Sequence, residues 1–121
     1  MTSVPLLIFL LAASHAVCDF ALQPEAMALG KCPRNTVDPS RFPRWTYWLS
    51  AHGLVHGAGV ALVMIAVGAP QLWWLGALEA VSHMGIDYLK CEERINLAVD
   101  QALHYACKLA WVGVVVVALP A

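Results

Sequence analysis

All five histidines of this chain have a second metal-ligand-type side chain four residues away. His15 precedes Asp19, His52 precedes His56, His83 precedes Asp87, and His104 follows Asp100. Residues at i and i+4 share one face of a helix, one turn apart. Imidazole nitrogen together with carboxylate oxygen suits a divalent transition metal such as zinc, manganese or iron. Each pair falls in a different apolar stretch. The pattern predicts one polar site with His15, Asp19, His52, His56, His83, Asp87, Asp100 and His104 as its ligands. Eight ligands are more than one tetrahedral ion takes. Either two ions bind, or some of the eight orient the others or act in catalysis.

The elements that carry these pairs follow from composition. The chain has 121 residues, 60% hydrophobic and 12% charged, which is the balance of a membrane protein. Its net charge of -1 says nothing about nucleic acid; membrane lipid is the expected partner, with no nucleic acid. Crossing a bilayer takes about 20 apolar residues. Four stretches qualify, at about 4–23, 45–69, 71–90 and 95–119. The expectation is an all-α, integral-membrane four-helix bundle in up-down-up-down order, one domain over residues 1–121. Gly68-Ala69-Pro70 reads as a tight helical hairpin. The one sizeable loop is 24–44: its first part could form a short interfacial helix, and Pro33, Pro39 and Pro43 make the rest irregular. Trp45, Tyr47 and Trp48 mark one interface and Trp73 and Trp74 the other.

Basic residues set the orientation. Lys31, Arg34, Arg41 and Arg44 lie in the first connection and Lys90 and Arg94 in the third. The positive-inside rule puts both connections in the cytoplasm of a bacterial inner membrane, with both termini outside. Met1-Thr2-Ser3 lacks the basic start of a signal peptide, so the first stretch reads as a retained span. Cys18 and Cys107 lie within spans, as small filler residues. Cys32 and Cys91 lie in the cytoplasmic connections, where thiols are expected to stay reduced.

With this topology all four pairs meet at one depth, toward the cytoplasmic side. A deeper layer holds His15, His56, His83 and His104; a shallower one holds Asp19, His52, Asp87 and Asp100. Glu79 lies four residues before His83 and Lys108 four after His104. They match in depth and read as a structural ion pair; the functional alternative makes Glu79 a ligand or general base. Gln23 continues the face of Asp19. Lys31 and Lys90 stand near the mouth, where they would attract an anionic head group or phosphate. For any one histidine, a plain hydrogen bond to a neighbouring helix is the competing reading.

His15-x3-Asp19-Phe20-x2-Gln23, Lys31, the histidines of the second span, His83-x2-Ile86-Asp87-x2-Lys90 and Asp100-Gln101-x2-His104 together resemble a small bacterial and phage membrane family. That family is catalogued as domain of unknown function 3307. The resemblance covers nearly the whole chain and adds Gln101 to the site's neighbours. It implies no activity, which must come from the site.

The leading expectation is an integral-membrane, metal-dependent hydrolase. Its substrate would be a lipid-like phosphate or ester reaching the site from the cytoplasmic leaflet, with a shallow aspartate such as Asp100, or Glu79, as general base. The alternatives are a di-iron membrane oxidase, a bis-histidine haem protein, a metal or proton conductor built from several copies, and a non-enzymatic phage membrane protein.

Overall fold

A computed structural model describes residues 3–35 and 38–119; Met1, Thr2, Thr36, Val37, Pro120 and Ala121 lie outside the described residues. The described chain is all-α. Its helices are α1 (Val4–Ala16), α2 (Glu25–Gly30), α3 (Trp45–Ala66), α4 (Trp74–Cys91) and α5 (Leu97–Ala118). α1 runs on into a π-helical turn, Val17–Ala21, closed by Leu22 N–H on Val17 O at 3.0 Å. α2 is the short helix expected at the start of the long loop. α1 packs on α3 and α5, and α4 packs on the same two.

The hairpin between α3 and α4 is closed as the Gly-Pro signal predicts. Gly68 adopts φ +80°, a left-handed conformation that costs glycine little. Ala69 N–H then reaches Met64 O at 2.9 Å and Gly68 N–H reaches Ile65 O at 3.1 Å. This pair of bonds satisfies the last carbonyls of α3. α5 starts at Asn96, whose side chain accepts from Val99 N–H at 2.9 Å.

α3 and α4 approach unusually closely. A Cβ at Gly57 would stand 2.5 Å from Gly76 O, so neither position tolerates a side chain without moving a helix. This approach lets histidine rings from the two helices meet.

The interior is divided. Leu7, Leu11, Val60, Met64, Leu75, Val112 and Val115 form an apolar half. The other half holds nearly all the ionisable groups of the spans. Leu75, Glu79, His83, Asp87 and Cys91 form a buried stripe of α4, one residue per turn, with Gly76 and Ala80 buried beside it. α5 buries Asp100, His104, Lys108 and Val112 in the same rhythm. The outside is the reverse: Leu54, Leu62, Ile65, Val81, Leu109 and Val117 are exposed. Charges within and leucines without is an arrangement compatible with a lipid surround.

Among the described residues, three helices are long and apolar enough to cross a membrane: Val4–Ala21, Trp45–Ala66 and Leu97–Ala118. The expectation was four. α4 falls short because its 18 residues include Glu79, Asp87 and Lys90.

The connections after α1 and α4 lie at the same end. Arg34 bonds Glu93 at 3.0 Å across them, and Cys32 and Cys91 are joined in a disulfide. The expectation of reduced thiols is thereby corrected. Fifty-nine residues separate the two cysteines, so only the folded helices bring them together, at a Cα–Cα distance of 5.0 Å.

Candidate metal centre

All five histidines are buried, and their rings form one cluster. His56 and His83 stack with centroids 3.5 Å apart, and His83 and His104 at 4.1 Å. His52 lies edge-on to His56 at 4.7 Å and to His83 at 4.9 Å. His15 reaches His56 at 5.1 Å and His104 at 5.2 Å. Four helices thus contribute to a single knot of imidazoles. α3 supplies two rings from successive turns, and its glycine contact with α4 sets His83 against both.

Carboxylates stand on the Nε2 side of the rings. Asp19 Oδ1 is 2.9 Å from His56 Nε2, 3.4 Å from His52 Nε2 and 4.0 Å from His83 Nε2. Its Oδ2 faces His15 Nε2 at 3.2 Å. Asp87 Oδ2 is 3.5 Å from His52 Nε2 and 3.7 Å from His83 Nε2, while Oδ1 faces His104 Nε2 at 3.3 Å. Each of these two aspartates therefore turns one oxygen to the central histidines and the other to an outer histidine. Asp100 Oδ1 lies 3.5 Å from His104 Nε2.

Among the described residues, two groups bring their donor atoms close enough for one ion: Asp19, His52, His56 and His83; and His83, Asp87 and His104. A tetrahedral ion with bonds of about 2.0–2.1 Å spaces its ligands about 3.3–3.4 Å apart. The separations of His52 and His83 Nε2 at 3.2 Å and of His52 and Asp19 at 3.4 Å lie near that edge. His52 and His83 also point nitrogen at nitrogen. Two neutral lone pairs so placed repel, and a shared proton or a cation resolves it. Several buried ring nitrogens find no hydrogen-bond partner, among them Nδ1 of His15, His52 and His104. Each unmet buried group costs about 1–3 kcal/mol. The donor set fits a divalent transition ion.

The surrounding residues differ in role. Glu79 is 1% exposed and bonds Lys108 Nζ and Trp111 Nε1, the latter at 2.6 Å. Its Oε1 also lies 3.6 Å from His83 Nδ1. Matching depth predicted the Glu79–Lys108 pair. The pair sits behind the His83 ring, on the side away from Nε2. Gln23 Nε2 donates to Asp19 O at 3.1 Å. Gln101 Nε2 donates to Asp100 Oδ2 at 3.0 Å, and Lys90 Nζ stands 3.8 Å from the same oxygen. Asp100 Oδ1 has no hydrogen-bond partner.

Three features went unforeseen. Lys31, expected only near the mouth, is buried and ion-paired with Asp87. Trp111 is a partner of Glu79. The π-helical turn carries Asp19, so the first pair is not a plain helical i,i+4 pair. Such turns recur at functional sites.

A family model described as a protein of unknown function, DUF3307, matches residues 6–120. No curated protein and no solved structure matches the chain.

Proposed function

The chain belongs to the DUF3307 family, and we propose from its own residues that it is an integral-membrane, metal-dependent hydrolase of a lipid-like phosphate or ester. The observation that carries this reading is the convergence of five histidine Nε2 atoms on Asp19 and Asp87 inside a shell of exposed apolar side chains. Burying so many polar groups in a membrane is costly, and a bound ion offsets that cost. In this reading α1 with its π turn, α3, α4 and α5 form an up-down-up-down membrane bundle. α4 crosses despite its charges because Glu79 and Asp87 face the interior.

His52, His56, His83 and Asp19 would hold the ion, with Asp87 and His104 beside them. A divalent ion there would acidify a water and polarise a phosphoryl or acyl oxygen. Asp100 is the general base: it lies by His104 and keeps one oxygen free of hydrogen bonds. Glu79 acts through His83, because Lys108 and Trp111 already occupy its oxygens. Substrate enters at the end of the molecule that carries Lys31, Arg34, Lys90 and Arg94, the cytoplasmic end by the positive-inside rule. The apolar half of the core closes the path through a single bundle, so conduction would need several copies.

A di-iron oxidase is the second reading. One observation favours it: Asp19 and Asp87 each offer an oxygen to two sets of histidines, as bridging carboxylates do.

The test uses full-length protein in vesicles containing phosphomonoester and carboxylic-ester lipids. Hydrolysis should stop on metal stripping and return when zinc or manganese is restored. Asp100→Asn should lower the rate about 100-fold or more with bound metal unchanged. Oxygen consumption without hydrolysis would favour the oxidase, and hydrolysis indifferent to chelation would overturn the metal reading.

A further inference from the structure

Lys31 brings a positive charge into the site that the metal reading does not use. It comes from the loop, not from a span, and is 7% exposed. Its ammonium sits on Asp87, the residue that also faces His52, His83 and His104. An ammonium and a metal ion compete for one carboxylate. While Lys31 holds Asp87, the group Asp19, His52, His56 and His83 remains complete, but the group His83, Asp87 and His104 is already neutralised; His83 offers one Nε2 to the two groups, so two ions together need Asp19, His52 and His56 for one and His83, Asp87 and His104 for the other.

The next residue is Cys32, bonded to Cys91. Cys91 lies one turn after Asp87 on the same buried stripe of α4. The disulfide therefore ties the end of α2 to α4 at the place where Lys31 must reach Asp87. The other ties between these connections are weak. Arg34 reaches Glu92 and Glu93 only across an exposed surface, and pairs of that kind contribute about 0–1 kcal/mol. α2 itself packs on α3. A cavity of about 290 Å³ lies at this mouth, with Gln23, Lys31, Cys32, Asp87, Lys90 and Cys91 in its wall. Cys32 is half-buried, open to attack from that side, and Cys91 is buried.

We propose that the Cys32–Cys91 disulfide is a redox latch that keeps Lys31 on Asp87, and that its opening by a dithiol frees Asp87 to join His83 and His104 on a second metal ion. This rests on the metal reading above. A thiolate of the dithiol attacks the Cys32 sulfur and the sulfur–sulfur bond breaks, releasing Cys91 as a thiolate that takes up a proton. The second thiol of the reductant then displaces Cys32 from the mixed disulfide. The protein disulfide gains two electrons and two protons, and the dithiol becomes a disulfide. Disulfides in a reducing compartment are mostly transient or redox-sensing. With the mouth in the cytoplasm, the latch stands open in a reduced cell and closes under oxidation.

Two readouts on full-length protein in detergent test this. One is zinc per chain after equilibration with zinc alone, for the oxidised protein and for protein reduced with a dithiol and desalted. The other is labelling of Lys31 by an amine-reactive ester, read by mass spectrometry. The oxidised protein should hold one zinc with Lys31 protected. The reduced protein should hold two with Lys31 labelled. Lys31→Met should hold two in both states. The double variant Cys32→Ser/Cys91→Ser, which has no thiolates at the mouth to bind zinc, should also hold two. Equal zinc and equal labelling in the two states would overturn the latch and leave the metal reading standing. A second zinc lost in the double-serine variant would place that ion on the thiols and overturn the latch's role. Zinc in neither state would overturn the metal reading and the second ion with it, and labelling of Lys31 would still decide whether the disulfide restrains it.

Discussion

His83→Ala protein should bind its metal more than about a hundredfold more weakly than wild type, the upper end of what loss of a mere orienting partner produces. His83 belongs to both groups of candidate ligands. Its Nε2 lies 3.2 Å from His52 Nε2 and 3.7 Å from Asp87 Oδ2, so its removal opens each group. The ring also stacks on His56 and His104, which lose their support. Isothermal titration of metal into stripped protein measures the effect, and helical circular dichroism in detergent verifies that the variant folds. A folded His83→Ala protein with wild-type affinity would remove His83 from the centre.

Lys108→Met should lower stability by about 3–5 kcal/mol, the usual result of leaving one partner of a buried ion pair alone. Glu79 and Lys108 are both buried, between the imidazoles and the apolar half of the core. Without the ammonium, the Glu79 carboxylate keeps only Trp111 Nε1 at 2.6 Å and the more distant His83 Nδ1 at 3.6 Å. Glu79→Gln should be destabilising for the mirror reason, since the ammonium then has no counter-charge. Adding Glu79→Gln to Lys108→Met removes both charges together and should recover most of the loss. Thermal unfolding in one detergent gives all three values. Additive losses in the double variant would mean that the two residues act independently.

Much of the candidate site was legible because residues four apart on one helix share a face. Asp87 and His83, or Asp100 and His104, are one turn apart wherever α4 and α5 are placed. In lipid, such residues must face inward. The pairing of Glu79 with Lys108 followed from depth alone. What escaped depends on contacts made across the fold. The short reach of Lys31 onto Asp87 requires α2 to turn back over the mouth, and no local pattern states that. The Cys32–Cys91 bond was obscured by the basic residues around it, which argue for a reducing compartment. The π turn at Val17–Ala21 leaves no hydrophobic periodicity to detect, because the residues around Asp19 are apolar on most sides. α4 was read as a span like the others by length, although its inward charges make it the least apolar of the four.

The most direct measurement of the central claim is the metal content of full-length protein purified in detergent without chelators. The account predicts at least one zinc, manganese or iron per chain, reduced to background in an Asp19→Ala, His56→Ala double variant that still folds. Wild-type protein without bound metal, and unable to take up any of the three on titration, would contradict it.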